Sequence, residues 1–418
     1  MRMKFNKSSQ LVLISVAGLA AATLVTACSQ LTQTLTVDFV YVASSKAAGT
    51  NQYGEIDVFE INSESGRMRQ IPASPFPSGG RNPVAEASSA DNADLFVANQ
   101  DDNTIVQFVI GNDGKLYPFN TVNTPGIYPL AIAANASNLF VVDTYQPLAI
   151  CSTADPCSGS VSVFPLTAAT KTEPVGINPP ATNTAVSGNY WPLSVSGSTD
   201  IIVPTGVNVL ASGSYVYVTA YDSTVTPHVG YVFGFAVGAA GVLSPLPGSP
   251  FAAGVQPSAV ASASDASGAT YLYVTDYGVG DVLAYNVSSS NGALSAMSGS
   301  PFQAGNQPSA IVADQHYPYV YVTNSLDATI SAYSRSNGAL TSLGLYGTGL
   351  NPVAIGIDPS TGRFLYTANF LGNNVTGYEL STTAGTLVSS QFSPFTANDQ
   401  PTSVAAIPHN GTGAGVEP

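Results

Sequence analysis

Charged residues make up only 9% of the 418-residue chain, and acidic residues outnumber basic ones by 25 to 11. The resulting net charge of −14 argues against nucleic acid as a partner and against electrostatic attraction to anionic lipid headgroups. With 39 Gly, 29 Pro, 21 Tyr and 17 Phe, the composition fits a large globular β protein whose strands are separated by many tight turns.

The chain opens with a basic stretch (Arg2, Lys4, Lys7), an apolar run from Leu11 to Ala27, and then Cys28. That run is short for a membrane-spanning helix and fits the hydrophobic region of an export signal. Val25-Thr26-Ala27-Cys28 resembles the lipobox of bacterial lipoproteins, which implies cleavage after residue 27 and lipid on Cys28. Ser29 is non-acidic, which resembles the outer-membrane sorting pattern. The expectation is an exported protein anchored in the bacterial envelope through its N-terminal lipid alone, with residues 28–37 as a tether. Removal of residues 1–27 deletes three basic and no acidic residues, leaving 8 Lys+Arg against 25 Asp+Glu, or −17.

From residue 38 onward one phrase recurs seven times: an aromatic or β-branched strand usually ending in a small residue and Asn or Asp. Its copies are centred on Tyr41, Phe96, Phe140, Tyr217, Tyr273, Tyr321 and Tyr366. A second phrase lies between them. Gly292 to Ile311 matches the stretch 241–260 in 13 of 20 positions, with weaker copies from Gly66, Gly114, Gly338 and Gly385. These phrases predict four-stranded antiparallel blades. Ser309 to Ala313 is an inner strand A and the Tyr-Val-Thr-Asn phrase is strand B. Thr329 to Tyr333 is strand C, and Leu340 to Leu345 is an outer strand D. Asn291-Gly292 and Asn337-Gly338 suit the C–D hairpins because both residue types tolerate positive φ. A strand-built repeat of this length predicts a radial propeller. The first repeat lacks a strand A, and Gln400 to Ile407 has the strand-A phrase with no strand B after it. The two ends are therefore expected to share a composite blade. The fold class is all-β: one seven-bladed propeller over residues 38–410, with a flexible tail at 411–418.

Spacing between the central aromatics is 55, 44, 77, 56, 48 and 45. The outlier marks insertions at about 144–160 and 166–203, expected on the face of the B–C and D–A loops. Cys151 and Cys157 lie in the first, where an exported chain favours a local disulfide; a two-cysteine metal site is the rival, with no histidine nearby to complete it. The second carries Trp191, the only tryptophan, and a polar, Pro-rich stretch from Lys171 to Thr184 that reads equally well as plain decoration.

The Tyr-Val-Thr-Asn strands and the Gly-x-Leu, Ser-Pro-Phe and Gln-Pro-Ser-Ala phrases resemble the seven-bladed lactonase-like propellers, over roughly residues 38–410. That resemblance implies the architecture. Its enzyme branch implies sugar-lactone hydrolysis, with charged acid/base groups at one mouth of the central channel. The chain offers few such groups. Arg67, Arg69, Arg335 and Arg363 belong to turns of the opposite face, and so does His316; His409 follows the last strand. Only Arg81, before Pro83, is placed for the functional face; His228, near Asp222, could act as a base, with a plain surface histidine as the alternative reading, and no catalytic residue is carried over from the family. Asp101, Asp102, Asp143, Asp276, Asp281 and Asp327 sit at B–C turns, where Asp commonly caps a turn by bonding the backbone two residues on. No calcium loop, nucleophile elbow or phosphate loop is present. No metal or cofactor is expected.

The sequence alone thus favours a monomeric, lipid-anchored envelope protein that binds a small-molecule ligand or an envelope protein partner. The expected binding face includes Arg81, Asp101, Trp191, Tyr221 and Asp276. The alternative is a lactonase-type hydrolase of the 6-phosphogluconolactonase kind.

Overall fold

The computed structural model describes residues 36–45 and 52–408. The export signal, Cys28, residues 28–35 of the tether, His409 and the tail 411–418 lie outside the described residues. The described chain forms seven antiparallel sheets of four or five strands, with two short 3₁₀ turns as its only helices. Blades are numbered by their B strands: Thr36–Ser44, Asp94–Asn99, Asn138–Tyr145, Tyr215–Asp222, Thr270–Asp276, Tyr319–Asn324 and Phe364–Asn369. In blade 1 the inner strand is the C-terminal Ala405–Pro408, which pairs antiparallel with residues 38–41 and sets Val40 opposite Ala406. Thr402 N–H donates to the Ala43 carbonyl at 2.8 Å, and Val404 packs into the cluster containing Val40. The ring is therefore closed by both ends of the chain, which covers two sheet edges that would otherwise be exposed.

The B strands are buried throughout because each sheet is covered on both faces by its neighbours. Tyr41, Phe96, Phe140, Tyr217, Tyr273, Tyr321 and Tyr366 are all at 0% exposure. The tyrosines among them have a second task. The hydroxyls of Tyr41, Tyr217, Tyr273, Tyr321 and Tyr366 donate to the carbonyls of Gly114, Gly292, Gly338, Gly385 and Gly66, at 2.7–3.3 Å. Each acceptor is the glycine of the C–D hairpin in the next blade. That hairpin needs glycine twice over. Gly338 has φ +81°, and a Cβ there would lie 2.3 Å from the Tyr271 ring. Tyr and the hairpin Gly, separate signals in the sequence, are the two halves of one inter-blade latch.

Phe96 and Phe140 cannot make this bond. The hairpin facing Phe96 belongs to blade 3 and is rebuilt: Gln107 Nε2 donates to the Val175 carbonyl at 2.7 Å, while Val175 N–H donates to Asp94.

Outer strand D is broken in most blades into two short pieces that both pair with strand C. In blade 3 these pieces are Gly176–Ile177 and Trp191–Pro192. The segment 166–203 is consequently spread over three places. Residues 168–175 form the C–D turn, 178–190 bulge at the outer rim, and only 193–201 form a D–A loop. The expectation that all of it projects from one face does not hold. Trp191 is correspondingly not a surface residue: it pairs with Val161, is 5% exposed, and packs with Phe140, Val163 and Phe233 between blades 3 and 4.

Candidate functional site

The seven inner strands run from the D–A loops toward the A–B turns and form the wall of the central channel. Six of them carry Ile or Val three residues after a conserved-in-repeat proline: Ile132, Val207, Val260, Ile311, Ile355 and Val404. The seventh, Pro83–Ser88, carries Glu86 at that position. Glu86 is the one acidic or basic side chain on the seven inner strands. It is half-buried against blade 1, where its Oε2 accepts the Ser403 hydroxyl at 2.8 Å and its buried Oε1 has no hydrogen-bond partner. Burial pushes its pKa up to about 7, while the Ser403 hydroxyl and the Ala43 backbone favour the ionised form. A carboxyl that gains and loses its proton near neutrality is suited to general acid–base work.

Above this level the residues preceding the inner-strand prolines ring the mouth: Asn82, Tyr128, Val203, Gln256, Gln307, Asn351 and Gln400, all half-buried. Five of the seven are carboxamides. Five (Asn82, Tyr128, Gln307, Asn351 and Gln400) hold φ between 53° and 59°, a conformation that side chains other than glycine adopt rarely.

The Asn or Asp ending strand B holds these loops in place. Asp276 accepts the N–H groups of Val255 and Gln256 at 2.6 and 2.9 Å, and Asn324 accepts that of Gly305 at 3.0 Å. The capping expected two residues on is also present, from Gly278 N–H to Asp276, but the bonds to the D–A loop some twenty residues upstream are additional. A Cβ at Gly254 would lie 2.0 Å from the Asp276 carboxylate, so the loop must be glycine there.

The candidate residues named from the sequence fall into separate settings. Arg81 stands at the mouth five residues before Glu86, but its guanidinium is tied to Asp102 at 2.5–2.6 Å and to the Asp101 carbonyl at 3.2 Å. The Asp102 hydrogen bond raises the Arg81 pKa further. Asp101 is exposed beside it in the short 3₁₀ turn Gln100–Asp102.

His228, in blade 4, stacks on Tyr221 with ring centroids 4.8 Å apart, and its Nδ1 faces the Val225 carbonyl at 2.9 Å. Asp222 is buried and bonds Thr224 rather than His228. Tyr221 remains on the mouth face, half-buried. Asp276 is 1% exposed and spent on its loop. Arg81, Asp222 and His228 therefore do not form one catalytic group. The structure also joins Cys151 to Cys157 in the blade 3 B–C loop, with Cα atoms 5.4 Å apart.

Glu86 was missed by reading motifs outward from loops. The available signal was an alignment of the inner strands, in which Glu stands alone among Ile and Val.

Residues 203–404 match the family model described as "Lactonase, 7-bladed beta-propeller". The described chain is a seven-bladed propeller, lactonase-like in sequence over residues 203–404. The N-terminal blades outside that match repeat the same strand order. No curated protein sequence matches. Among solved structures, this lactonase-like chain is similar to a protein of Bacteroides fragilis named as a "putative 6-phosphogluconolactonase". The identity is 18%, with 90% of this chain and 99% of that one covered and a TM-score of 0.67. A Bacteroides uniformis protein given the same name is also 18% identical, with 88% and 99% covered and a TM-score of 0.69. The periplasmic gluconolactonase PpgL of Pseudomonas aeruginosa is 16% identical, with 88% and 99% covered and a TM-score of 0.66. At these identities the likeness is one of fold.

Proposed function

We propose that the protein is a lactone hydrolase of the bacterial envelope, with Glu86 as its general base. The observation that carries this reading is a single half-buried carboxyl, its pKa pushed up to about 7, on inner strands that carry no other charged side chain. Lactone opening needs a base to take a proton from water as the water oxygen bonds to the carbonyl carbon. The same proton then returns to the ring oxygen as the acyl–oxygen bond breaks, giving a hydroxy acid. Glu86 is suited to both transfers. The names of the similar structures support this reading over the pure binding role favoured by the sequence.

The carboxamide mouth and the Arg81–Asp102 pair favour an uncharged, hydroxylated lactone over a phosphorylated one, which would need an unpaired cationic clamp. The Cys28 motif supports an envelope location with lipid on that residue.

The test is turnover of a panel of sugar lactones by the chain from Cys28 onward. Glu86→Gln, which keeps shape and the Ser403 contact, is expected to lower kcat by about 10²–10⁴-fold. Turnover indistinguishable from buffer in the wild type would remove the proposal. Retained activity in the Gln variant would remove Glu86 from the role.

A second reading is favoured by the exposed aliphatic side chains on the same face. Val279, Leu326, Leu350 and Leu371, on the loops of blades 5–7, are 58–66% exposed. A protein or ligand bound there would be detected by loss of binding when these leucines are changed to serine.

A further inference from the structure

Strand B of blade 1 starts on the face of the A–B and C–D turns, opposite the channel mouth. Thr36 pairs with Asn62, at the edge of the C–D turn that carries Arg67. Cys28 lies eight residues before Thr36 in the sequence, a reach of at most ~28 Å even fully extended. A lipid on Cys28 is therefore held within ~28 Å of this turn.

The surface there combines exposed apolar side chains with arginine. Val388, on the outer strand of blade 7, and Phe392, in the rim turn between the two pieces of that strand, are 65% and 66% exposed. The Arg67 guanidinium lies 4.7 Å from the centre of the Phe392 ring. Arg69 and Arg363 flank the same seam, paired with Glu60 and Glu379, and Glu64 is exposed in the turn. Three of the five arginines of the exported chain thus gather where the chain enters the ring.

The cations are partitioned at the scale of the whole disc. Arg67, Arg69, Lys115, Lys171, Arg335 and Arg363 all lie on the turn face, and Arg81 is the one described cation on the mouth face. That face exposes Asp101, Asp155, Asp327 and Asp399, while the exposed acids of the turn face, Glu64, Asp113 and Glu173, stand among its six cations. The net negative charge is thus unevenly distributed, and an anionic surface would repel the mouth face more strongly than the turn face. An exposed aromatic ring next to arginine is the pairing that settles at a headgroup boundary.

We propose that the Arg67–Phe392 seam rests on an anionic lipid leaflet, so that the turn face lies toward the membrane and the channel mouth points away from it. This rests on the reading of Cys28 as the lipid-bearing residue; the mass of the native N-terminal peptide tests that reading by itself.

The orientation is tested independently. With Cys151 and Cys157 paired, Cys28 is the only free thiol and can be coupled to a maleimide lipid in phosphatidylcholine–phosphatidylglycerol vesicles. Hydroxyl-radical footprinting then compares the vesicle-bound chain with the soluble one. Phe392 and the turn 62–67 are expected to be protected severalfold, with Leu326 and Leu371 unchanged. Protection at Leu326 or Leu371, or equal labelling everywhere, would overturn the proposal. Phe392→Ser, a substitution at an exposed site, is expected to abolish protection of the turn. Protection that persists in that variant would also count against it.

Discussion

At the residue scale, most of the repeat phrase is explained by hydrogen bonds that bridge separate elements. The strand-B tyrosine is conspicuous in sequence as a β-former, yet its hydroxyl matters as much as its ring, because a buried hairpin carbonyl depends on it. Tyr366→Phe removes the copy of this bond that joins blade 7 to blade 1. The expected cost is about 1 kcal/mol of unfolding free energy, measured by urea denaturation. Phe96 and Phe140 show the converse. After Phe96 the following blade departs from the simple hairpin and the site uses Gln107 and Asp94 instead, whereas the hairpin after Phe140 keeps its glycine, Gly241, without the tyrosine bond. This was legible in principle, since the two Phe copies immediately precede the long spacing. Glu86 was less legible because its character comes from its neighbours. A glutamate in an alternating strand looks like a solvated residue until the other six strands show that its position is aliphatic.

At the element scale, the order of strands within a blade could be read from the period-2 alternation and the Gly turns. Strand positions for blade 6 came within a few residues of Pro308–Ala313, Tyr319–Asn324, Thr329–Ser336 and Ala339–Gly347. The long segment after residue 166 could not be read this way. Its strand pieces are two residues long, too short for any periodicity, and their place is set by pairing with Ser160–Thr167. Trp191 staples the outer edge of blade 3 to blade 4 through the core. Trp191→Ala should therefore cost about 3–5 kcal/mol, read from the denaturation midpoint, and should not act as a selective lesion of the mouth. A change confined to ligand binding, with stability unaltered, would contradict this placement.

At the scale of the whole molecule, closure depends on both chain ends, and the seam carries an unusual pair of acids. Asp38 lies near the start of the first strand and Asp358 directly follows the inner strand of blade 7; both are fully buried. Burial, followed by the neighbouring Asp358, raises the Asp38 pKa to about 9, so Asp38 keeps its proton beside Asp358. The folded pKa is above the unfolded value of 3.8. Stability from this group is thus complete below about pH 4 and declines as pH rises toward about 9. Asp38→Asn keeps a donor toward Asp358 and should flatten that decline, as measured by unfolding free energy at mildly acidic and mildly alkaline pH. An unchanged slope would show that the acid pair does not govern closure.

The same linkage logic applies to Glu86, whose proton is exchanged in the range where the proposed chemistry operates. A base that must be ionised to activate water should give a kcat/KM that rises with pH through its own pKa in the free enzyme. The decisive measurement is the kcat/KM profile for an uncharged sugar lactone, from pH about 5 to about 9, corrected for spontaneous hydrolysis. The expected profile rises with an apparent pKa of about 7 in the wild type, and that rise disappears in Glu86→Gln. A flat profile, or one identical in the two proteins, would contradict the assignment of the channel carboxyl as the base.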